Sequence, residues 1–230
     1  DSAVVAFTSV LRAIRMIEKA APGVSFQRSS GNGTLKIAHH DQECSATIGF
    51  ANVNYVRLAP PCAPYPGVVA HELLHSLGFI HEQDHPNRST YLEISTDASH
   101  YSDNWQSQWV EYNGVVVALP FDPCSLMMYP VNSEADQWAD HAVNFTAAGV
   151  EAAERCVPVN RHLYSFSGSV GDFVRADPNN VFQRQGLSAR DTAMLNKLYP
   201  SSRGDGLDQR IVFWLLLSTT VIGVGALAVM

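Results

Sequence analysis

The sequence predicts an α+β domain, and three observations carry that reading. Short, partly alternating apolar runs crowd between residues 24 and 60. One apolar stretch with helical spacing follows at Gly67 to Phe79. Beyond Ile80 the pattern turns irregular, until a last helical pattern closes it near residue 199. Strands first, then a central helix, then an irregular lobe shut by a helix is an α+β order. At 230 residues the chain can bury one sizeable core or build two small lobes.

The elements follow in order. In "DSAVVAFTSVLRAIRMIEKA", Phe7, Val10, Leu11, Ile14 and Ile17 recur at helical spacing, so an amphipathic helix opens the domain. Charges run through that apolar pattern, so it is no signal peptide. "APG" at 21–23 is a turn. "VSFQR", "TLKIAHH", "CSATIGF" and "NYVRLAP" read as strands. "PPCAPYPG" is a rigid loop, and Gly67 to Phe79 is a helix whose Val68, Val69, Leu73, Leu74 and Leu77 can face a core. Short helices are expected near Trp105 and over Ala147 to Arg155. "LSARDTAMLNKLY" is the closing helix; Ser188 is its N-cap, and Asp191, three residues on, makes a variant of the capping box.

Composition narrows the function. A formal charge of −7 argues against nucleic acid as the main partner, because phosphate binding needs a basic face. The four cysteines, Cys44, Cys62, Cys124 and Cys156, form no CxxC pair, which argues against a zinc knuckle or a thioredoxin-type motif. An even number at wide spacing suits two disulfides in an oxidising compartment; four reduced thiols in a cytosolic chain are the alternative. Two sequons, Asn87-Arg88-Ser89 and Asn144-Phe145-Thr146, are compatible with secretion.

The densest chemistry is "HELLHSLGFIHEQDHPNR", His71 to Arg88. His71 and His75 lie four apart on the central helix, so their imidazoles share one face and can reach one ion. Glu72 lies beside them, as the general base of an H-E-x-x-H motif. Gly78 can enter the left-handed conformation cheaply, end the helix and turn His81 toward the same ion. Three neutral histidines leave zinc an open coordination position. So many polar groups beside a core helix would be costly without a metal to pair them. His39, His40, His100, His141 and His162 are read as surface or locally bonded histidines.

H-E-x-x-H-x-x-G-x-x-H, followed by "HEQDHPNRSTY" and "PFDPCSLMMYP", resembles the astacin family of metzincin zinc metallopeptidases. The likeness runs from Val4 to Pro200, weakly between Asn132 and Gly186. It implies a zincin-like fold of N-terminal helix, twisted sheet, active-site helix and irregular C-terminal lobe. It implies zinc on His71, His75 and His81, and hydrolysis of extracellular proteins or peptides by a zinc-bound water with Glu72 as base. Tyr129 would help stabilise the oxyanion. Met127 would pack beneath the histidines; "LMMYP" also resembles the matrixins, which would give Met128 that place. Glu82, Arg88, Tyr91 and Ser125 match family positions too. A Cys44–Cys62 disulfide follows from the same likeness, and Cys124 with Cys156 would be a private pair. His85 and Asn87 stand where the family usually has Arg and Asp. Pro22 and Pro200 stand near the positions of a second family disulfide. The family also carries a leading strand and a propeptide ahead of the first helix.

The domain is thus expected over 1–200, a linker over 201–210, and a membrane segment over 211–230. "IVFWLLLSTTVIGVGALAVM" has no charge and no proline, and as a helix it would extend about 30 Å, a bilayer core. With Arg210 on the domain side and small residues upstream, a single span and a glycolipid-anchor signal both stay open. Either attaches the domain outside the cell. The rival function is a catalytically silent, membrane-attached module that keeps zinc for stability.

Overall fold

The computed structural model describes residues 2–29, 35–49, 51–94, 119–129, 143–154, 186–201 and 211–217. The expected helix near Trp105, together with His100, His141, His162 and Cys156, lies outside them. In chain order the elements are α1 (Ser2–Ala20), β1 (Val24–Arg28), β2 (Leu35–His39), β3 (Ser45–Ala46), β4 (Asn54–Leu58), α2 (Pro66–Ser76), two 3-10 turns (Glu82–Asp84 and Arg88–Thr90), β5 (Leu92–Ile94), β6 (Val143–Phe145), α3 (Ala147–Glu154), α4 (Ala189–Leu198) and β7 (Ile211–Leu217). They fall into two units, residues 1–79 with 198–230, and residues 80–197.

In the first unit α1 packs on α2. Ala6, Val10, Ala13, Ile14 and Ile17 form its buried stripe. Leu11, expected inside, is 36% exposed, because the stripe centres on the small Ala13 rather than on the larger side chain. The sheet order is β1-β7-β2-β4-β3, parallel except for the edge strand β3. In β4, Asn54, Val56 and Leu58 point inward while Tyr55 and Arg57 point out, the period of two that a half-buried strand requires.

Residues 202–210, nearly all of the expected linker, lie outside the described residues. Ile211–Leu217, expected to begin a membrane segment, is a strand paired on both sides, with Val24 opposite Ile211 and Leu35 opposite Leu215. A strand inside a parallel sheet reads as a continuous apolar run, so "IVFWLLL" fits either environment. Residues 218–230 lie outside the described residues, and no helix among the described residues is long and apolar enough to cross a membrane.

Cys44 and Cys62 are joined, with their Cα atoms 6.3 Å apart across 18 residues of sequence. Cys124 is also disulfide-bonded; Cys156, its expected partner, lies outside the described residues. At the segments where the resembled family has a second disulfide, the backbone itself closes up. A Cβ on Gly23 would run into the Tyr199 carbonyl, and Tyr199 donates its hydroxyl to the Leu77 carbonyl at 2.7 Å. Replacing Cys44 and Cys62 by Ala together should therefore cost about 3 kcal/mol, the loop-closure entropy for a loop of this size. Urea unfolding of the double variant checks this.

In the second unit β5 and β6 pair antiparallel, Leu92 opposite Phe145. Leu92, Phe121 and Met128 are buried together, with Tyr91, Ile94, Tyr129 and Phe145 packed around them. The Thr146 hydroxyl accepts from the Gly149 amide at 3.1 Å, which caps α3. The box at α4 is reciprocal: the Asp191 amide donates to Ser188 Oγ at 2.9 Å, and the Ser188 amide donates to Asp191 Oδ2 at 2.9 Å.

Candidate active site

α2 starts at Pro66, one residue before the sequence suggested, because proline suits the first helical position where its missing N–H costs nothing. Gly67 to Leu74 then run through the core with Val69, Ala70, Leu73 and Leu74 buried. The helix ends at Ser76, and Leu77 and Gly78 complete its cap. The Gly78 amide donates to the His75 carbonyl at 2.9 Å, the Phe79 amide donates to the Leu74 carbonyl at 3.0 Å, and Gly78 has φ +93°. This is a Schellman stop, and it redirects the chain at the residue the spacing singled out.

His71, His75 and His81 offer ring nitrogens that all lie within 4.8 Å of one another. Nitrogens held about 2.1 Å from a tetrahedral zinc sit about 3.4 Å apart, so small ring rotations close the set. His75 is oriented by its neighbours. Its Nδ1 donates to the Phe79 carbonyl at 2.8 Å, which leaves Nε2 as the lone-pair nitrogen. Burial holds its pKa below the ordinary value, against a weaker upward pull from that carbonyl. A neutral imidazole is the ligand form, so the donor set fits zinc. The His71 and His75 rings meet edge to face at 4.7 Å. Glu72, between them in sequence, is 5% exposed.

After His81 the chain makes two 3-10 turns that tie it to the segment 119–129. The Glu82 amide donates to the Met127 carbonyl at 3.0 Å, and the Tyr129 amide donates to Gln83 Oε1 at 3.2 Å. The Tyr129 ring lies 4.2 Å from that of His81. Met127 and Met128 are both buried, but Met128 belongs to the cluster with Leu92 and Phe121. Arg88 donates to the Gln83 carbonyl at 2.8 Å and so ties the second 3-10 turn back to the first. His85 is buried; its Nδ1 accepts from the Asn87 amide at 3.0 Å, so Nε2 carries the proton it donates to the Leu119 carbonyl at 3.1 Å. Neutral hydrogen bonds thus serve where the resembled family has an arginine.

Sequence reasoning missed a buried carboxyl network. Glu82 Oε1 accepts from the Asp122 amide at 2.6 Å, Asp122 Oδ2 accepts from Ser188 Oγ at 2.5 Å, and Asp191 Oδ1 accepts from Ser125 Oγ at 2.6 Å. The Leu126 amide reaches Asp191 Oδ2 at 2.8 Å. Arg190 donates to the Phe121 carbonyl. Burial pushes Glu82 up to about 8; the Asp122 amide opposes that, while the Asp122 and Asp191 charges add to it. Burial raises Asp122, against its hydrogen bonds to Ser188 and Cys124. The sequence signals were Asp191 as a cap and the matches of Glu82 and Ser125 to positions of the resembled family, and none of them joined these groups into one network. Among the remaining histidines, His39 is exposed and pairs with Asp41 at 3.2 Å, and His40 Nδ1 accepts the Gln42 and Glu43 amides, both as surface residues.

Residues 4–151 match the model of the Astacin peptidase family. The zinc metalloproteinase nas-22 of Caenorhabditis elegans is 28% identical over 132 residues, 56% of this chain and 35% of that protein. The zinc metalloproteinase dpy-31 of the same organism is 29% identical over 185 residues, 78% of this chain and 26% of that protein. The chain therefore spans about a third or less of the length of these relatives. Its fold is like that of high choriolytic enzyme 1, a hatching enzyme zinc-protease from Oryzias latipes, with a TM-score of 0.60 and 19% identity over 84% of this chain and 82% of that one.

Proposed function

Because the chain belongs to the astacin family, we propose that it is a zinc-dependent endopeptidase acting on extracellular proteins or peptides. The observation that carries this reading is the convergence of three imidazoles on one short stretch of chain that also holds the buried Glu72. His71, His75 and His81 would hold the metal. Zinc, when bound, lowers the pKa of a coordinated water to about 7 and polarises a carbonyl. Glu72 is the general base: its carboxylate takes the proton of the attacking water and passes it to the leaving amine. The Tyr129 hydroxyl donates to the oxyanion of the tetrahedral intermediate.

Hydrolysis of a casein-type substrate tests the proposal. Activity should vanish on chelation and return on adding zinc. A zinc-replete chain that cleaves nothing would be the silent module instead. Tyr129→Phe should lower kcat with little change in KM, because its hydroxyl bond strengthens only as the oxyanion forms. A change confined to KM would make Tyr129 a substrate-binding residue.

The Cys44–Cys62 bond supports an oxidising, extracellular location. Membrane attachment through residues 211–230 is the other part of that proposal, supported by their unbroken apolar run. The strand β7 makes a competing use of the first seven of them. Partition of the full chain into detergent decides, and a monodisperse chain without detergent removes the membrane from the proposal.

A further inference from the structure

We propose that Asn87 carries an N-linked oligosaccharide. Two sequons stand in the chain, and the structure treats them differently. Asn87 and Ser89 are both exposed, and neither side chain makes a hydrogen bond among the described residues. The backbone beneath them is fixed. The Asn87 amide donates to His85 Nδ1 at 3.0 Å, the Thr90 amide donates to the Asn87 carbonyl at 3.3 Å, and Arg88 is tied back to the Gln83 carbonyl. The carboxamide therefore stands on a held turn and faces solvent, where a large hydrophilic group displaces water alone. Arg88 fills the middle position, which only proline would forbid.

The second sequon is built into the fold. Asn144 lies in β6 opposite Glu93. The Thr146 hydroxyl donates to the Thr90 carbonyl at 2.8 Å while it caps α3. A transferase that must engage the sequon hydroxyl competes there with two native bonds, and at Ser89 with none. The Cys44–Cys62 disulfide supplies the independent observation, because a compartment that forms it is the one in which sequons are modified.

The chemistry is a group transfer. Asn87 Nδ2 forms a bond to the anomeric carbon of a lipid-pyrophosphate-linked oligosaccharide. The carbon–oxygen bond to the pyrophosphate breaks, the lipid pyrophosphate leaves with that electron pair, and one amide proton goes to a base. No oxidant or reductant takes part.

The inference rests on the extracellular part of the proposed function and not on peptide hydrolysis, so a glycosylated but inactive chain separates the two. The test uses the full chain secreted from a eukaryotic host. Peptide mapping should find Asn87 occupied in the unmutated protein, and an endoglycosidic amidase should remove the added mass and convert that Asn to aspartate. Asn87→Gln and Ser89→Ala should each abolish the modification at this peptide, and Ser89→Thr should keep it. A secreted, disulfide-bonded chain with Asn87 unmodified overturns the proposal, and so does a glycan found on Asn144 alone. Because occupancy is read first on the unmutated chain, a variant that fails to fold does not rescue the idea.

Discussion

Glu72→Ala should bind one zinc per chain and hydrolyse peptide about 10²–10⁴-fold more slowly, the usual worth of a positioned general base. The proposed metal ligands are imidazoles on His71, His75 and His81, so removing a neighbouring carboxylate leaves the donor set whole. His75 keeps its bond to the Phe79 carbonyl, which orients its ring. What is lost, on the proposed mechanism, is the group that takes a proton as the nucleophile attacks and returns it to the amine. Such a loss acts on the transition state, so kcat and kcat/KM should fall together while KM stays close. Glu72→Gln is the sharper variant. It keeps the shape of a side chain only 5% exposed, so a fall in rate cannot be blamed on a cavity. Metal content by plasma emission and steady-state kinetics measure the two halves separately. Activity within tenfold of the parent would remove Glu72 from the role of base, and loss of zinc would make its role structural.

The parts of this protein legible in its sequence are those whose physics is local. His71 and His75 at a spacing of four need only a helix to converge, and Gly78 needs only its freedom at φ +93° to end that helix and bring His81 round. The box at Ser188 and Asp191 is equally local, with both bonds inside one turn. Where the sequence was ambiguous or silent, the deciding partner lay far away. The strand β7 owes its state to β1 and β2, to which it adds across nearly the whole chain, and an apolar run carries no mark that separates a buried strand from a membrane segment. Leu11 was placed inside because a helical stripe is broad; only the packing of α1 on α2 shows that Ala13 is its centre. The carboxyl network joins residues 40 to 66 positions apart, and no spacing rule reaches that far.

Asp191→Ala should be the most destabilising single change in the second unit, by about 3–5 kcal/mol. Asp191 is 4% exposed and accepts three hydrogen bonds, from Ser125 Oγ, the Leu126 amide and the Ser188 amide. Truncation leaves those three donors buried, and each unsatisfied one costs about 1–3 kcal/mol, reduced by whatever water can enter. Asp191→Asn should cost far less. Its amide oxygen can take both backbone N–H groups, and its NH₂ can donate to Ser125 Oγ once that hydroxyl rotates. Urea denaturation should therefore order the proteins as parent, then Asn, then Ala, with m unchanged. The penalty should also depend on pH. Burial, with the Asp122 charge adding to it, raises Asp191 from 3.8 to about 6, against its three hydrogen bonds. The folded state then binds a proton that the unfolded state has released between those two values. Stability from this group is greatest below the unfolded pKa and is lost as pH rises through the folded one. Neither variant titrates there, so the cost of Asp191→Ala should shrink as pH rises from about 4 to about 6 and then level off. A cost that instead grew over that interval would mean that the folded protein holds Asp191 ionised more strongly than water does, and the network would be a site of net charge stabilisation.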